Sequence, residues 1–250
     1  MKAFVLAAGF GTRLNPLTLT TPKPLVKVQG IPMILYTLAL LKHLGIDDVV
    51  INLHHLGEKI AQTLQDGKAL GMKIAYSRED PILGTGGGIA KVLPQMSQDF
   101  LVINADVITD FELEPFLKIH QESKALATLL LRPRPANCDF GLVTCKNQRV
   151  TSILAGKGFE EHTQTHFTGV HLLSQEQLQN FIKGRSLQPS FCIVNDVYKP
   201  CLATREAALA AALHNGLWED CGTFAALQEM ETQKLNLSYA KELKELFTKL

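Results

Sequence analysis

The sequence has no stretch approaching the roughly 18 consecutive apolar residues that span a bilayer. The apolar run in its opening MKAFVLAAGF is too short for a secretory signal with its cleavage site. Charge of either sign is not in excess: 25 Lys and Arg stand against 24 Asp and Glu, a formal net charge of +1. That balance excludes the strong positive field of a nucleic-acid binder, while a small anionic ligand needs only a local site. The five cysteines (Cys138, Cys145, Cys192, Cys201, Cys221) are odd in number and lack C-x-x-C spacing, so they form neither a disulfide framework nor a zinc site. No linker or low-complexity stretch divides the chain. These absences predict a soluble cytoplasmic protein, monomer or homodimer, with no nucleic-acid or membrane partner, and 250 residues at 46% hydrophobic composition are enough to bury a full core.

What is present alternates in period. KAFVLA (2–7) has strand length, the segment 9–32 is rich in Gly, Thr and Pro, and PMILYTLALLKHLG has helical spacing with a glycine stop. DVVINLH (48–54), GEKIAQTLQDG (57–67) and MKIAYS (72–77) continue as strand, helix and strand; a helix near 87–93 and the strand FLVINAD (100–106) follow. Successive βα units predict an α/β fold with a mostly parallel sheet and helices on both faces. From 124 to 173, KALATLLLR, FGLVTC, RVTSIL and HFTGVHLL read as strands of a smaller antiparallel extension. The segment AALAAALH (207–214) has helical propensity, and LNLSYAKELKELFTKL reads as an amphipathic helix whose stripe includes Leu243, Leu246, Phe247 and Leu250. The expected organisation is a single domain over 1–250, with 1–123 forming one half and 124–250, including the C-terminal helices, the other.

LAAGFGTR (6–13) follows the first strand, at the sheet edge where open α/β proteins bind ligands. Gly9 and Gly11 remove Cβ atoms, letting consecutive backbone N–H groups turn toward an anion, and Arg13 adds a positive charge. The spelling is not G-x-G-x-x-G, because Leu14 stands at the third glycine, and G-x-x-x-x-G-K-[ST] is absent. Lys23 lies between Pro22 and Pro24, which restrict the backbone around it. An ordinary surface turn with two solvated cations remains the alternative on these residues alone.

LAAGFGTRLNPLTLTTPKPL resembles the signature of sugar-1-phosphate nucleotidyltransferases, with one extra residue before PKPL; LGTGGGI (83–89), VINADV (102–107) and WEDCGT (218–223) follow in the same order. The resemblance implies a Rossmann-like nucleotide-binding sheet with a sugar-binding portion, so that 1–123 is mainly nucleotide-binding and 124–250 sugar-binding. Within the family the chain is most similar to the N-acetylmuramate 1-phosphate uridylyltransferases of peptidoglycan recycling. Mannose- or heptose-1-phosphate guanylyltransferases are the alternative. Phosphocholine cytidylyltransferases, noncatalytic regulatory homologues and nucleotide-sugar glycosyltransferases fit fewer of these residues. The chain ends too soon for the β-helix or regulatory tail of longer relatives.

The implied chemistry joins a nucleoside triphosphate, UTP before others, to a sugar 1-phosphate. It calls for cations and a hard divalent metal, magnesium, held by carboxylates. By resemblance Arg13 and Lys23 are the catalytic pair, one on the β/γ-phosphates and one on the α-phosphate. Leu6, Ala7, Ala8, Gly9, Gly11, Thr12, Glu79, Gly84, Thr85 and Asp106 join them in contacting nucleotide. Asp106, ending an apolar strand, and Asp220 are the expected metal ligands, with Glu219 competing for the second place and Asp110 expected to cap a helix from Phe111. Glu79 is either the base-reading carboxylate, which accepts from uracil N3–H or guanine but cannot donate to cytosine N3, or a solvated glutamate in SREDP. Gly141, Lys157, Gly169 and Asp196 are the implied sugar-phosphate contacts.

Overall fold

The computed structural model describes residues 1–134, 140–154, 164–204 and 208–250. The chain begins with β1 (Lys2–Leu6), β2 (Lys27–Val28), β3 (Ile31–Pro32), α1 (Met33–His43), β4 (Asp48–Leu53), α2 (Gly57–Leu64) and β5 (Lys73–Arg78). It continues through α3 (Gly84–Val92), β6 (Asp99–Asn104), β7 (Val107–Thr109), α4 (Leu113–Ser123), β8 (Ala127–Pro133), β9 (Leu142–Lys146), β10 (Arg149–Leu154) and β11 (Thr165–Ser174). Then come α5 (Gln175–Ile182), a π-helical segment Ile193–Tyr198, α6 (Lys199–Thr204), β12 (Leu209–Leu213), β13 (Trp218–Asp220), α7 (Phe224–Thr232) and α8 (Ala240–Phe247). This is the α/β class that the alternating periods predict. Two compact units form: Met1–Ile82 with Ile103–Asp110 and Gly216–Leu250, and Leu83–Val102 with Phe111–Asn215. The C-terminal helices, grouped from sequence with 124–250, lie in the first unit.

In the first unit β1, β4 and β5 are parallel, in the order β5-β4-β1, with Lys2 opposite Asp48 and Asp48 opposite Lys73. Val49, Val50 and Ile51 are all buried, as strands covered on both faces must be. In α1 every residue from Met33 to Leu41 is buried, because α8 packs against it as well as β7. Leu243 and Leu246 of α8 are the buried part of its stripe; Phe247 and Leu250, expected with them, are 43% and 50% exposed. β7 and β13 form a short antiparallel ladder with Asp220 opposite Val107. Asp110 extends that ladder instead of capping a helix: its N–H donates to Leu217 O (3.2 Å) and its Oδ1 accepts from Leu217 N–H (2.9 Å). The following helix starts at Leu113, after Glu112, with no side-chain cap.

In the second unit the strand order is β11-β8-β12-β10-β9, and Thr165 of β11 pairs again with Val143 of β9. Within the alanine-rich segment 207–214, whose first residue lies outside the described ones, Leu209–Leu213 is not helix but strand β12, parallel to β8, with Leu209 opposite Ala127 and Leu213 opposite Leu131. Helix propensity is worth less than about 1 kcal/mol per residue. A place inside the sheet satisfies the peptide groups of the segment and buries Leu209 to Ala212, so the long-range pairing wins. The glycine run 84–88 opens α3 because another segment crosses it closely. A Cβ on Gly86 would lie 2.3 Å from the Phe191 ring, and one on Gly87 2.3 Å from Pro189 O.

Gly86→Ala is therefore expected to destabilise the protein by about 1–3 kcal/mol through overpacking, more than the ~1 kcal/mol that alanine gains in a helix. The denaturant midpoint of the variant checks this; an unchanged or higher midpoint would show that the Phe191 ring has room to move.

Candidate functional site

The loop after β1 is held from below. Gly11, at φ +65°, heads a 3-10 turn over Thr12–Leu14, and Leu14 is fully buried, which anchors the turn and leaves Arg13 pointing outward. A Cβ on Gly11 would lie 3.0 Å from Thr18 Cγ2 and 3.1 Å from Lys23 Cβ, so this position needs glycine for space as well as for its backbone angle. Thr18, fully buried, directs its hydroxyl at Gly11 O (3.0 Å) and Asn15 Oδ1 (2.8 Å). His55 Nε2 donates to Thr18 O (2.7 Å), and Lys59 Nζ donates to Thr20 O (2.5 Å). Gly9 differs: a Cβ there would meet nothing within 4 Å, so its bareness opens space outside the chain.

Four charged side chains meet beside this loop, all in the first unit. Lys23, in the 3-10 turn Lys23–Leu25, forms an ion pair through Nζ with Asp106 Oδ2. Arg13 Nη2 lies 3.8 Å from Asp220 Oδ2. Cys221 N–H donates to Asp106 O (3.0 Å), and Ala105 N–H donates to Leu6 O (3.1 Å), which fixes the Asp106 turn against both β13 and the end of β1. Strand alternation gives Asp220 and Glu219 opposite faces, and Asp220 is the one beside Arg13. Sequence reasoning missed Gly222: a Cβ there would lie 2.4 Å from Arg13 Nη2 and 2.6 Å from Asp220 Oδ1. The glycine of WEDCGT was the available signal.

Burial raises the Asp220 carboxyl above the usual carboxylate range, and the Asp106 charge adds to this while Lys23 and Arg13 oppose it. The Cys221 thiol is pushed up to about 12 by burial and by the same carboxylates. Among the described residues no group of three or more His, Cys, Asp or Glu is arranged to hold a metal. The carboxylate pair nevertheless fits a hard divalent cation. Asp220 Oδ1 is buried without a hydrogen-bond partner among the described residues, and magnesium commonly uses one or two carboxylates and completes its shell with phosphate and water.

Glu79 is 3% exposed, so it is not the solvated residue of SREDP. Its Oε1 accepts from Asn52 Nδ2 (2.8 Å), and Asn52 Oδ1 accepts from Ala7 N–H (2.6 Å), a link absent from the sequence reading. His54 Nδ1 donates to Glu79 O (2.9 Å), and Phe10 packs on the His54 and His55 rings at 5.3 and 5.5 Å.

In the second unit Thr85 Oγ1 accepts from Ile193 N–H (3.0 Å) and Asp196 Oδ2 from Cys192 N–H (2.7 Å), so both serve the start of one π-helical segment. Gly84, at φ +68°, leaves room for Phe191 O, which a Cβ would approach to 2.7 Å. Gly169 lies where the β11–β8 register shifts, and a Cβ on Gly141 would lie 3.1 Å from Leu154 O. Lys157 lies outside the described residues.

Residues 2–236 match the nucleotidyl transferase family. The chain is 36% identical over 241 residues to N-acetylmuramate alpha-1-phosphate uridylyltransferase of Neisseria meningitidis, covering 92% of this chain and 97% of that one. It is 32% identical to UTP–glucose-1-phosphate uridylyltransferase of Synechocystis, across 74% of this chain and 52% of the relative. A mannose-1-phosphate guanylyltransferase of Mycobacterium tuberculosis is 30% identical, with 89% of this chain matched to 61% of that one. A crystal structure of a glucose-1-phosphate thymidylyltransferase, so described as putative, from Bacillus anthracis shares the fold at TM-score 0.82 and 24% identity over 98% of this chain and 99% of that one.

Because the folded pKa of Asp220 lies above its unfolded value, the ionised carboxylate costs stability. That cost is absent below the ordinary carboxylate range and grows as pH rises from there through the folded pKa. Asp220→Asn should therefore stabilise the metal-free protein at neutral pH by on the order of 1 kcal/mol, with the gain shrinking below about pH 4. Denaturant titrations at both pH values check it; a less stable variant at neutral pH contradicts it.

Proposed function

The chain belongs to the nucleotidyl transferase family, as a sugar-1-phosphate nucleotidyltransferase, and from that premise we propose that it transfers a uridylyl group from UTP to N-acetylmuramate 1-phosphate in peptidoglycan recycling. The observation that carries the reading is the convergence of Arg13, Lys23, Asp106 and Asp220 at the loop after β1. The choice of UTP and of the sugar rests on the Neisseria relative, which matches over nearly its whole length. We read the cytoplasm as its place, a reading supported by Cys145, Cys192 and Cys221, which form no disulfide among the described residues.

In the reaction a phosphate oxygen of the sugar 1-phosphate forms a bond to the α-phosphorus of UTP while the bond from that phosphorus to the bridging oxygen breaks, releasing pyrophosphate. The attacking phosphate has a second pKa of about 6, so it is already largely ionised and no general base is required. The work is charge control. Arg13, outward on its turn, grips the β- and γ-phosphates and stabilises the leaving group. Lys23, held near the loop by Asp106, turns its ammonium to the α-phosphate. The backbone N–H groups around Gly9 and Gly11 receive phosphate oxygens in the space that Gly9 leaves open. Asp106 and Asp220 would hold magnesium, which supplies compensating charge to the triphosphate. Glu79 of the first unit is read as meeting the base; in the second unit Gly84 and Thr85 are read as nucleotide contacts, and Gly141, Lys157, Gly169 and Asp196 as sugar-phosphate contacts.

The direct test is pyrophosphate release with UTP, dTTP, GTP, CTP and ATP crossed with sugar 1-phosphates that include N-acetylmuramate, glucose and mannose. UTP with N-acetylmuramate 1-phosphate is expected to lead; a GTP and mannose 1-phosphate optimum would replace the substrates and keep the reaction class. Asp106→Asn should lower turnover by roughly a hundredfold or more while the fold persists. Lys23→Ala should lower kcat more than it raises KM; a change confined to KM removes Lys23 from the chemical step.

A further inference from the structure

One buried side chain ties together the ends of three parallel strands. Asn52, next to last in β4 and 2% exposed, accepts from Ala7 N–H through Oδ1 (2.6 Å) and donates through Nδ2 to Glu79 Oε1 (2.8 Å). A backbone N–H can only donate, so the amide oxygen must face Ala7 and the NH2 group must face Glu79; the amide has no freedom to flip. Its neighbours Val49, Val50, Ile51 and Leu53 are buried and apolar. A valine or isoleucine would suit packing alone, and a polar side chain here costs stability unless both of its ends are bonded.

The two partners of Asn52 are not ordinary core groups. Ala7 opens the loop that carries Gly11 and Arg13. Glu79 borders a cavity of about 570 Å³ lined also by Leu53, His54, Gly57, Lys59 and Arg78, a size suited to a small-molecule site. Glu79 is further held by its backbone, with N–H donating to Leu53 O (2.8 Å) and O accepting from His54. The Asn52 donor fixes the direction from which Oε1 of the Glu79 carboxylate is met.

We infer that Asn52 is a positioning residue for base selection: it sets the orientation of the Glu79 carboxylate and couples it to Ala7, so that base reader and phosphate loop hold one register. The inference rests on the reading of Glu79 as the residue that meets the base. A carboxylate held in one orientation accepts from uracil N3–H along a fixed line and presents an acceptor against cytosine N3. A carboxylate free to turn away stays acceptor-only, but it loses the aligned bond from uracil N3–H that favours UTP.

The test is a double-mutant cycle read as kcat/KM for UTP and CTP with one accepted sugar 1-phosphate, using Asn52→Ala, Glu79→Gln and the pair. Asn52→Thr, whose side chain suits a strand, serves as a second variant should Asn52→Ala not fold, and circular dichroism checks each protein. Asn52→Ala is expected to lower the preference for UTP over CTP about tenfold, as for loss of one buried hydrogen-bond partner. On the Glu79→Gln background the same change should shift that preference less than twofold. Equal loss with both nucleotides, or additive effects in the pair, would make Asn52 a core residue only and overturn the proposal. If Glu79→Gln alters the base ranking and neither Asn52 variant does, the proposal fails while the base-reading role of Glu79 stands. If Glu79→Gln leaves the ranking unchanged, that role fails and takes the proposal with it.

Discussion

Asp106 and Asp220 are like charges far apart in the chain, and the first unit is organised so that they stand side by side. The β7–β13 ladder and the Cys221 N–H bond to Asp106 O impose the closeness from the backbone, where the repulsion of the carboxylates cannot easily undo it. Lys23 and Arg13 then offset part of the charge, each from a turn of its own. Asp220 keeps a buried oxygen without a hydrogen-bond partner among the described residues, and burial raises its pKa. Gly222 is bare because both Arg13 and Asp220 crowd that spot.

Much of this site was legible because its signals are local. A glycine-rich stretch after an apolar run, a lysine between prolines and an aspartate at a strand end each announce their position within a few residues. What the sequence did not reveal depends on distant partners. AALAAALH carries a helical preference, and only the presence of β8 alongside makes it a strand. Asp110 looks like a cap until Leu217 returns beside it. Asn52 had a usable signal, a lone amide inside DVVINLH, where a buried polar group must have partners. Thr18 was hidden in the same way: PLT reads as an ordinary loop tripeptide, yet its hydroxyl supports the Gly11 turn.

The second unit shows how one glycine run can have a structural reason of its own. Gly84, Gly86 and Gly87 give way to the 189–191 segment, and Gly86 N–H donates to Phe191 O at 2.9 Å. Thr85 and Asp196, expected at two different ligands, both receive N–H groups of residues 192 and 193. Their side chains are oriented by the backbone N–H groups that they accept from.

The first unit is assembled from segments on both sides of the second in sequence. During synthesis a nascent chain that has reached residue 215 already holds Arg13, Lys23 and Asp106, while Asp220, α7 and α8 do not yet exist. The side of α1 that α8 covers is still bare, and Asp106 has no second carboxylate beside it. At roughly 5–20 residues per second the interval until α8 is made lasts a few seconds, during which that apolar side of α1 has no cover. Order of manufacture thus makes residues 216–250 both the cover of α1 and the source of the second carboxylate of the pair.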